Sequence, residues 1–341
     1  MFLKELTELS GVSGCEYEVR NYIKNKLDEI DCKYYVDKLE NVIAHNVGKK
    51  NKTIMIAAHM DEVGLIVTHI DSDGFIKFQA VGGIDPRVLN SKQVLVGENK
   101  IPGVIGSKAV HLMSDDERGK SIPIEKLYVD IGSSSKPETE KLVSIGDYVT
   151  FKSDYVEFGN DMIKAKALDD RAGCSAILEL LRMKLDADFY GVFTVMEEVG
   201  CRGAQTAAYA LEPDFGIVIE GTVCADMPEV EEHSKSTIVG KGAALSIMDS
   251  STVYDIDVVR SVEKIAKQNN IAHQFRKSSS GGNDAGVIHK TKEGAKVMAI
   301  SIPCRYIHSA VSVASKNDYN SVVQLAKAVI LENQKGEYNE I

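Results

Sequence analysis

Residues 53–58, Thr-Ile-Met-Ile-Ala-Ala, run into His59 without a charged side chain. A half-buried strand alternates apolar and polar residues and a surface helix repeats every 3.6 residues, and this run does neither. Six residues are also short for a buried helix. The segment therefore reads as a strand covered on both faces, in a central sheet with helices on either side. A second strand-like run lies at 34–48, and helical spacing of Leu3, Leu6 and Leu9, then of Val19, Ile23, Leu27 and Ile30, places two helices ahead of it. Beyond residue 166 the rhythm is regular: helix over 168–185, strand over 188–197, helix over 203–211, strand over 214–221, helix over 255–270, strand over 295–303 and a closing helix over 318–336. The fold class that follows is α/β.

Between 68 and 161 the texture differs. Short apolar runs (FIKFQAVGG, KQVLVG, IPGVIG, LYVDIG, DYVTF) are separated by Gly, Pro, Asp and Ser turn signals, with little helical periodicity. The expected organisation is one discontinuous α/β domain, residues 1–67 and 162–341, interrupted by a β-rich insert over 68–161.

Charge narrows the function classes. Fifty acidic side chains against 40 basic ones give a formal charge of -10, and no Lys/Arg block stands out, so a nucleic-acid or anionic-membrane surface is not expected. No apolar stretch approaches the roughly 20 residues of a membrane span. The opening segment lacks the apolar core and small-residue cleavage site of a secretory leader. The six cysteines (Cys15, Cys32, Cys174, Cys201, Cys224, Cys304) have no CxxC pairing. Together these readings predict reduced thiols and a cytoplasmic protein.

Candidate chemistry collects where apolar strands end. His59 and Asp61 form His-x-Asp, and a carboxylate two residues from an imidazole can accept its second N–H and fix the tautomer for metal binding. A surface pair capping a strand end looks the same in sequence. Asp169 and Asp170 precede a helix, where Asp is a favoured N-cap, yet two carboxylates exceed what capping needs. Glu197 and Glu198 terminate the strand over 188–197, and Gly200 and Gly203 allow the turn that brings both to one side. Glu220 ends the next strand, and His308 follows the strand over 295–303.

Singly these are weak signals. Together His59, Asp169, Glu198, Glu220 and His308 supply two imidazoles and three carboxylates, enough for two divalent ions sharing one carboxylate, with Asp61 and Glu197 left for other duties. Without thiolates in the set, zinc, cobalt or manganese is favoured over iron–sulfur or copper chemistry.

The segments AHMDEVG, ALDDRAG, MEEVGCRGA, SSGGNDAG followed by VIH, and ISIPCRYIHSA resemble, in order and spacing, the signatures of metallopeptidase family forty-two, the tetrahedral di-metal aminopeptidases. The resemblance spans nearly the whole chain, insert included. It implies a zinc-exopeptidase-like mixed sheet flanked by helices, with the insert as a PDZ-like module used in dimerisation. It also implies peptide substrates and dimers that build a tetrahedral dodecamer. In this likeness His59 and Glu220 bind one metal, Glu198 and His308 the other, and Asp169 bridges them; Glu197 is the general base, and Asp61 orients His59. Two positions depart from the pattern: Glu220 stands where many members carry Asp, and Asn283 where Thr is usual. The alternative function is a di-metal amidohydrolase or deacetylase on the same fold.

Overall fold

All six residues of the strand Ile54–His59 are buried, and the strand lies in the middle of an 11-stranded sheet. The structure is a computed structural model describing residues 2–49 and 52–334. Ile54–His59 pairs in parallel with Phe189–Thr194 on one side and Phe215–Val223 on the other, and the latter pairs in parallel with Lys296–Arg305. Antiparallel strands complete both edges. The hairpin Lys33–Val36 and Val42–Asn46 continues from Phe189–Thr194, while Ser312–Ser315, Met162–Ala165 and Val156–Phe158 continue from Lys296–Arg305. Ala243–Ser246 pairs with Lys296–Arg305 off this path, and His273–Arg276 lies beside it. The sheet is therefore mixed, with its parallel strands innermost, where the sequence is most continuously apolar.

Helix Leu168–Arg182 packs against the central strands and Lys316–Gln334 against it, and both bury an apolar face. The closing helix was expected to reach 336; residues 335 and 336 lie outside the described residues.

A second sheet closes on itself. Gly64–Ile70, Ile76–Val81, Tyr128–Asp130, Ile101–Gly106, Gln93–Val96 and Tyr148–Phe151 form a six-stranded barrel around their own core, which includes Val67, Phe78, Val94, Ile105, Val129 and Phe151. Closure leaves no unpaired edge, which lets such short strands persist. The barrel begins at Gly64, ahead of residue 68, and the strand Val156–Phe158 belongs to the large sheet although it falls within 68–161.

Residues 53–67 thus supply two strands in two sheets. Residues 60–63 cross between them, and Gly64 lies so close to Val12 that no side chain fits there. The run at 34–48 likewise divides into a hairpin.

Under this crossing sits a buried ion cluster. Lys166 Nζ donates to Glu62 Oε1 at 2.6 Å and Oε2 at 2.8 Å, and Arg171 Nη2 lies 3.3 Å from Glu62 Oε1. Arg171 also donates to the carbonyls of Leu6 and Met60, each at 2.7 Å, tying the first helix to the end of the central strand. Burial draws the Lys166 ammonium down to about 8 against the opposing pull of Glu62. Glu62→Ala strands two buried cations, and a loss of about 3–5 kcal/mol in urea unfolding is expected.

Candidate metal centre

The four parallel strands deliver their carboxyl ends to one side of the sheet, the usual position for a site in an α/β fold. His59 is the last residue of its strand and is buried. Its Nδ1 faces Asp61, 3.2 Å from the carbonyl and 3.3 Å from Oδ1, so its Nε2 points the other way, 3.3 Å from Asp169 Oδ1.

Asp61 is a hub. Its carboxylate accepts from Ser13 Oγ at 2.6 Å and from the backbone N–H groups of Glu197 at 3.0 Å and Glu198 at 3.1 Å. Burial opposes this charge, but His59, Ser13 and the Glu197 N–H outweigh it and hold the carboxyl below its ordinary range.

Asp169 and Asp170 open the helix Leu168–Arg182 in non-helical conformations and divide the two roles that sequence left open. Asp170 does the capping: it accepts from the N–H of Gly173 at 2.9 Å and also from that of His59 at 3.2 Å. Asp169 turns toward the imidazoles, and its Oδ1 has no hydrogen-bond partner among the described residues.

Strand Phe189–Thr194 ends before Glu197. The chain then turns sharply, with left-handed backbone at Met196, Gly200 and Cys201. Glu16 Oε1 steadies the turn by accepting from the Met196 N–H at 3.1 Å. Glu198 Oε2 lies 3.3 Å from His308 Nε2, which is 3.6 Å from Asp169 Oδ2. Glu220 lies within the strand Phe215–Val223, and its buried Oε2 has no hydrogen-bond partner among the described residues.

Donor atoms of His59, Asp169 and Glu220 all lie within 4.8 Å of one another, and so do those of Asp169, Glu198 and His308. Asp169 belongs to both groups and Glu197 to neither. Burial pushes the Glu198 carboxyl up to about 7 and Glu197 to about 8, and Glu220 well above its usual range. Burial works against the charge on His308, but Asp169 and Glu198 raise it to about 9. So many buried acids with orphaned oxygens are costly unless cations complete them. The N/O donor set and the two unpartnered oxygens fit a pair of divalent ions.

Ser13, Gly82 and Gly83 carried no signal in the sequence, whereas Asn283 and Asp284 lie in the quoted SSGGNDAG segment. Ser13 comes from the loop between the first two helices. Gly82 and Gly83 come from the barrel: a Cβ on Gly82 would lie 2.8 Å from Val63 and 3.3 Å from Glu198, and one on Gly83 would lie 3.6 Å from His308 Nδ1. The barrel thus closes one side of the site, and the glycines let it approach. Asp284 is buried and accepts from Thr194 Oγ1 at 2.7 Å. Asn283 bonds to the N–H of Ala285 at 2.9 Å, closing the turn before a short helix.

A cavity of about 290 Å³ opens beside Asp169, Glu220 and His308, and Gly281, Asn283 and Arg276 also line it. The Arg276 guanidinium is already engaged, donating to Thr222 Oγ1 at 2.9 Å and to the Ser278 carbonyl at 2.7 Å.

Comparison with known proteins extends these observations. The sequence profile of the family described as M42 glutamyl aminopeptidase matches residues 40–325. The lysyl aminopeptidase of Pyrococcus furiosus is 32% identical over 338 residues, covering 97% of this chain and 96% of its own. Among solved structures, aminopeptidase APDkam598 of Desulfurococcus kamchatkensis superimposes with a TM-score of 0.93 at 36% identity, over 100% of this chain and 97% of its own. The Pyrococcus horikoshii TET1 peptidase, described as able to assemble into a tetrahedron or a large octahedral shell, superimposes with a TM-score of 0.86 at 33% identity, over 96% of this chain and 98% of its own.

Proposed function

The chain belongs to the M42 glutamyl aminopeptidase family, a family of metal-dependent peptide-bond hydrolases, and from that premise we propose how its own residues release N-terminal residues from peptides. The observation that carries the reading is the pair of donor groups sharing Asp169, with buried oxygens of Asp169 and Glu220 left unpartnered. His59 and Glu220 would hold one divalent ion, Glu198 and His308 the other, and Asp169 both. Zinc and cobalt suit these N/O donors, and manganese is compatible. Such a pair, when bound, supplies an activated water and a polarised carbonyl.

The remaining residues handle protons and orientation. Glu197 takes the proton of the attacking water on a carboxylate oxygen and returns it to the departing amine. Its position outside both donor groups leaves that carboxylate free for the task. Asp61 fixes His59 through Nδ1 and, through the backbone N–H groups of Glu197 and Glu198, sets the base and a ligand in one frame. The acid-rich cavity suits a free α-amine.

Self-association follows from the family, and assembly through dimers into a dodecamer, with the barrel as a PDZ-like dimerisation module, is the corresponding proposal. The six free thiols suit a reducing cytoplasm. No helix among the described residues is long and apolar enough to cross a membrane.

The test pairs an assay with a mass. Protein reloaded with cobalt should hydrolyse aminoacyl-nitroanilides and dipeptides, lose that activity to a chelator, and have a solution mass well above one subunit. Preference for N-acylated amino acids over substrates with a free amine would sink the aminopeptidase reading in favour of an amidohydrolase.

A further inference from the structure

A third donor group lies next to the first two and shares no residue with them. One donor atom each of Glu197, Cys201 and Asp284 lies within 4.8 Å of the other two. Cys201 Sγ donates to Glu197 Oε1 at 3.4 Å. Asp284 is 1% exposed; Thr194 holds its Oδ2, while its Oδ1 has no hydrogen-bond partner among the described residues. An orphaned carboxylate oxygen in the interior calls for a cause, and the nearby thiol and second carboxylate supply one.

We propose that Glu197, Cys201 and Asp284 form a third cation site, selective for a thiophilic divalent ion such as zinc or cadmium, whose filling switches hydrolysis off. One sulfur and two carboxylate ligands leave a fourth position for water, the arrangement of an open zinc site. The sulfur sets its preference apart from the N/O donors of the neighbouring pair, since soft thiolates favour zinc and cadmium over manganese. On binding, the S–H bond is replaced by a sulfur–metal bond and the thiol proton leaves to solvent. Glu197 is then engaged as a ligand, and the adjacent cation lowers its basicity so that it no longer takes the water proton. The binding half stands on this geometry alone; the inhibitory half rests on Glu197 acting as the base.

Manganese-loaded protein titrated with cadmium tests both halves. A thiolate-to-cadmium charge-transfer band in the ultraviolet should grow to one equivalent per subunit, and hydrolysis should fall at least tenfold in step with it. Cys201→Ser, which keeps a donor toward Glu197, should show no such band and resist cadmium relative to its own starting rate. Asp284→Asn should shift the band's titration to at least tenfold higher cadmium. No band in the wild type, or the same band in Cys201→Ser, overturns the site. A full band with undiminished hydrolysis overturns the inhibition, while the base assignment is judged separately from the turnover of Glu197→Gln.

Discussion

Glu197→Gln should keep its metal ions and lose hydrolysis by about 10²–10⁴-fold, the usual contribution of a positioned general base. The amide has nearly the shape of the carboxyl, and its carbonyl can still accept from Cys201. The backbone N–H that anchors this residue to Asp61 is untouched. Glu197 is absent from both donor groups around Asp169, so metal content after dialysis should match the wild type by elemental analysis. What the amide lacks is the ability to take a proton.

The metal-free protein offers an independent readout of the same substitution. Burial raises the Glu197 carboxyl from 4.5 to about 8. A raised carboxyl contributes stability that is complete below pH 4.5 and is lost as pH climbs through about 8, because the native state holds its proton longer than the unfolded chain does. In the absence of metal, Glu197→Gln should therefore lose less stability than the wild type between those limits. Near-normal turnover with a full metal complement would remove Glu197 from the mechanism.

How much of this was legible in the sequence differs from residue to residue. The buried strand before His59 was, because an unbroken apolar run of that length has few alternatives. The turn after Phe189–Thr194 was as well, since Gly200 and Gly203 permit it; the strand simply stops earlier than its apolar pattern does. The local pattern alone does not separate Asp169 from Asp170, because capping and metal ligation ask for the same side chain at the same place; the resemblance singled out Asp169, and the fold gives Asp170 the N–H partners. The split of residues 53–67 between two sheets was hidden for a related reason: strands in adjoining cores have the same apolar texture, and the crossing at 60–63 is set by contacts with Val12 and Arg171. Ser13, Gly82 and Gly83 reach the site from distant parts of the chain through packing of the barrel and loops, which no local spacing encodes.

Asp169→Asn should be the most damaging change in the donor set. Every other proposed ligand belongs to one group, whereas Asp169 belongs to both. Replacing His308 by Ala removes a ligand from one ion and should leave the ion near His59 and Glu220 bound, so dialysed His308→Ala should retain close to half the wild-type metal. Asn at 169 keeps the volume but gives up the negative charge between His59 and His308, and a neutral amide cannot offer two anionic oxygens to two cations. Losing even an outer partner of a metal ligand costs about 10–100-fold, so loss of the shared ligand should lower activity by at least about 100-fold, with metal content falling below that of His308→Ala. Circular dichroism of the metal-free proteins separates this from misfolding. If Asp169→Asn and His308→Ala retain the same metal, Asp169 serves one ion alone, and the two-ion arrangement built on it must be abandoned.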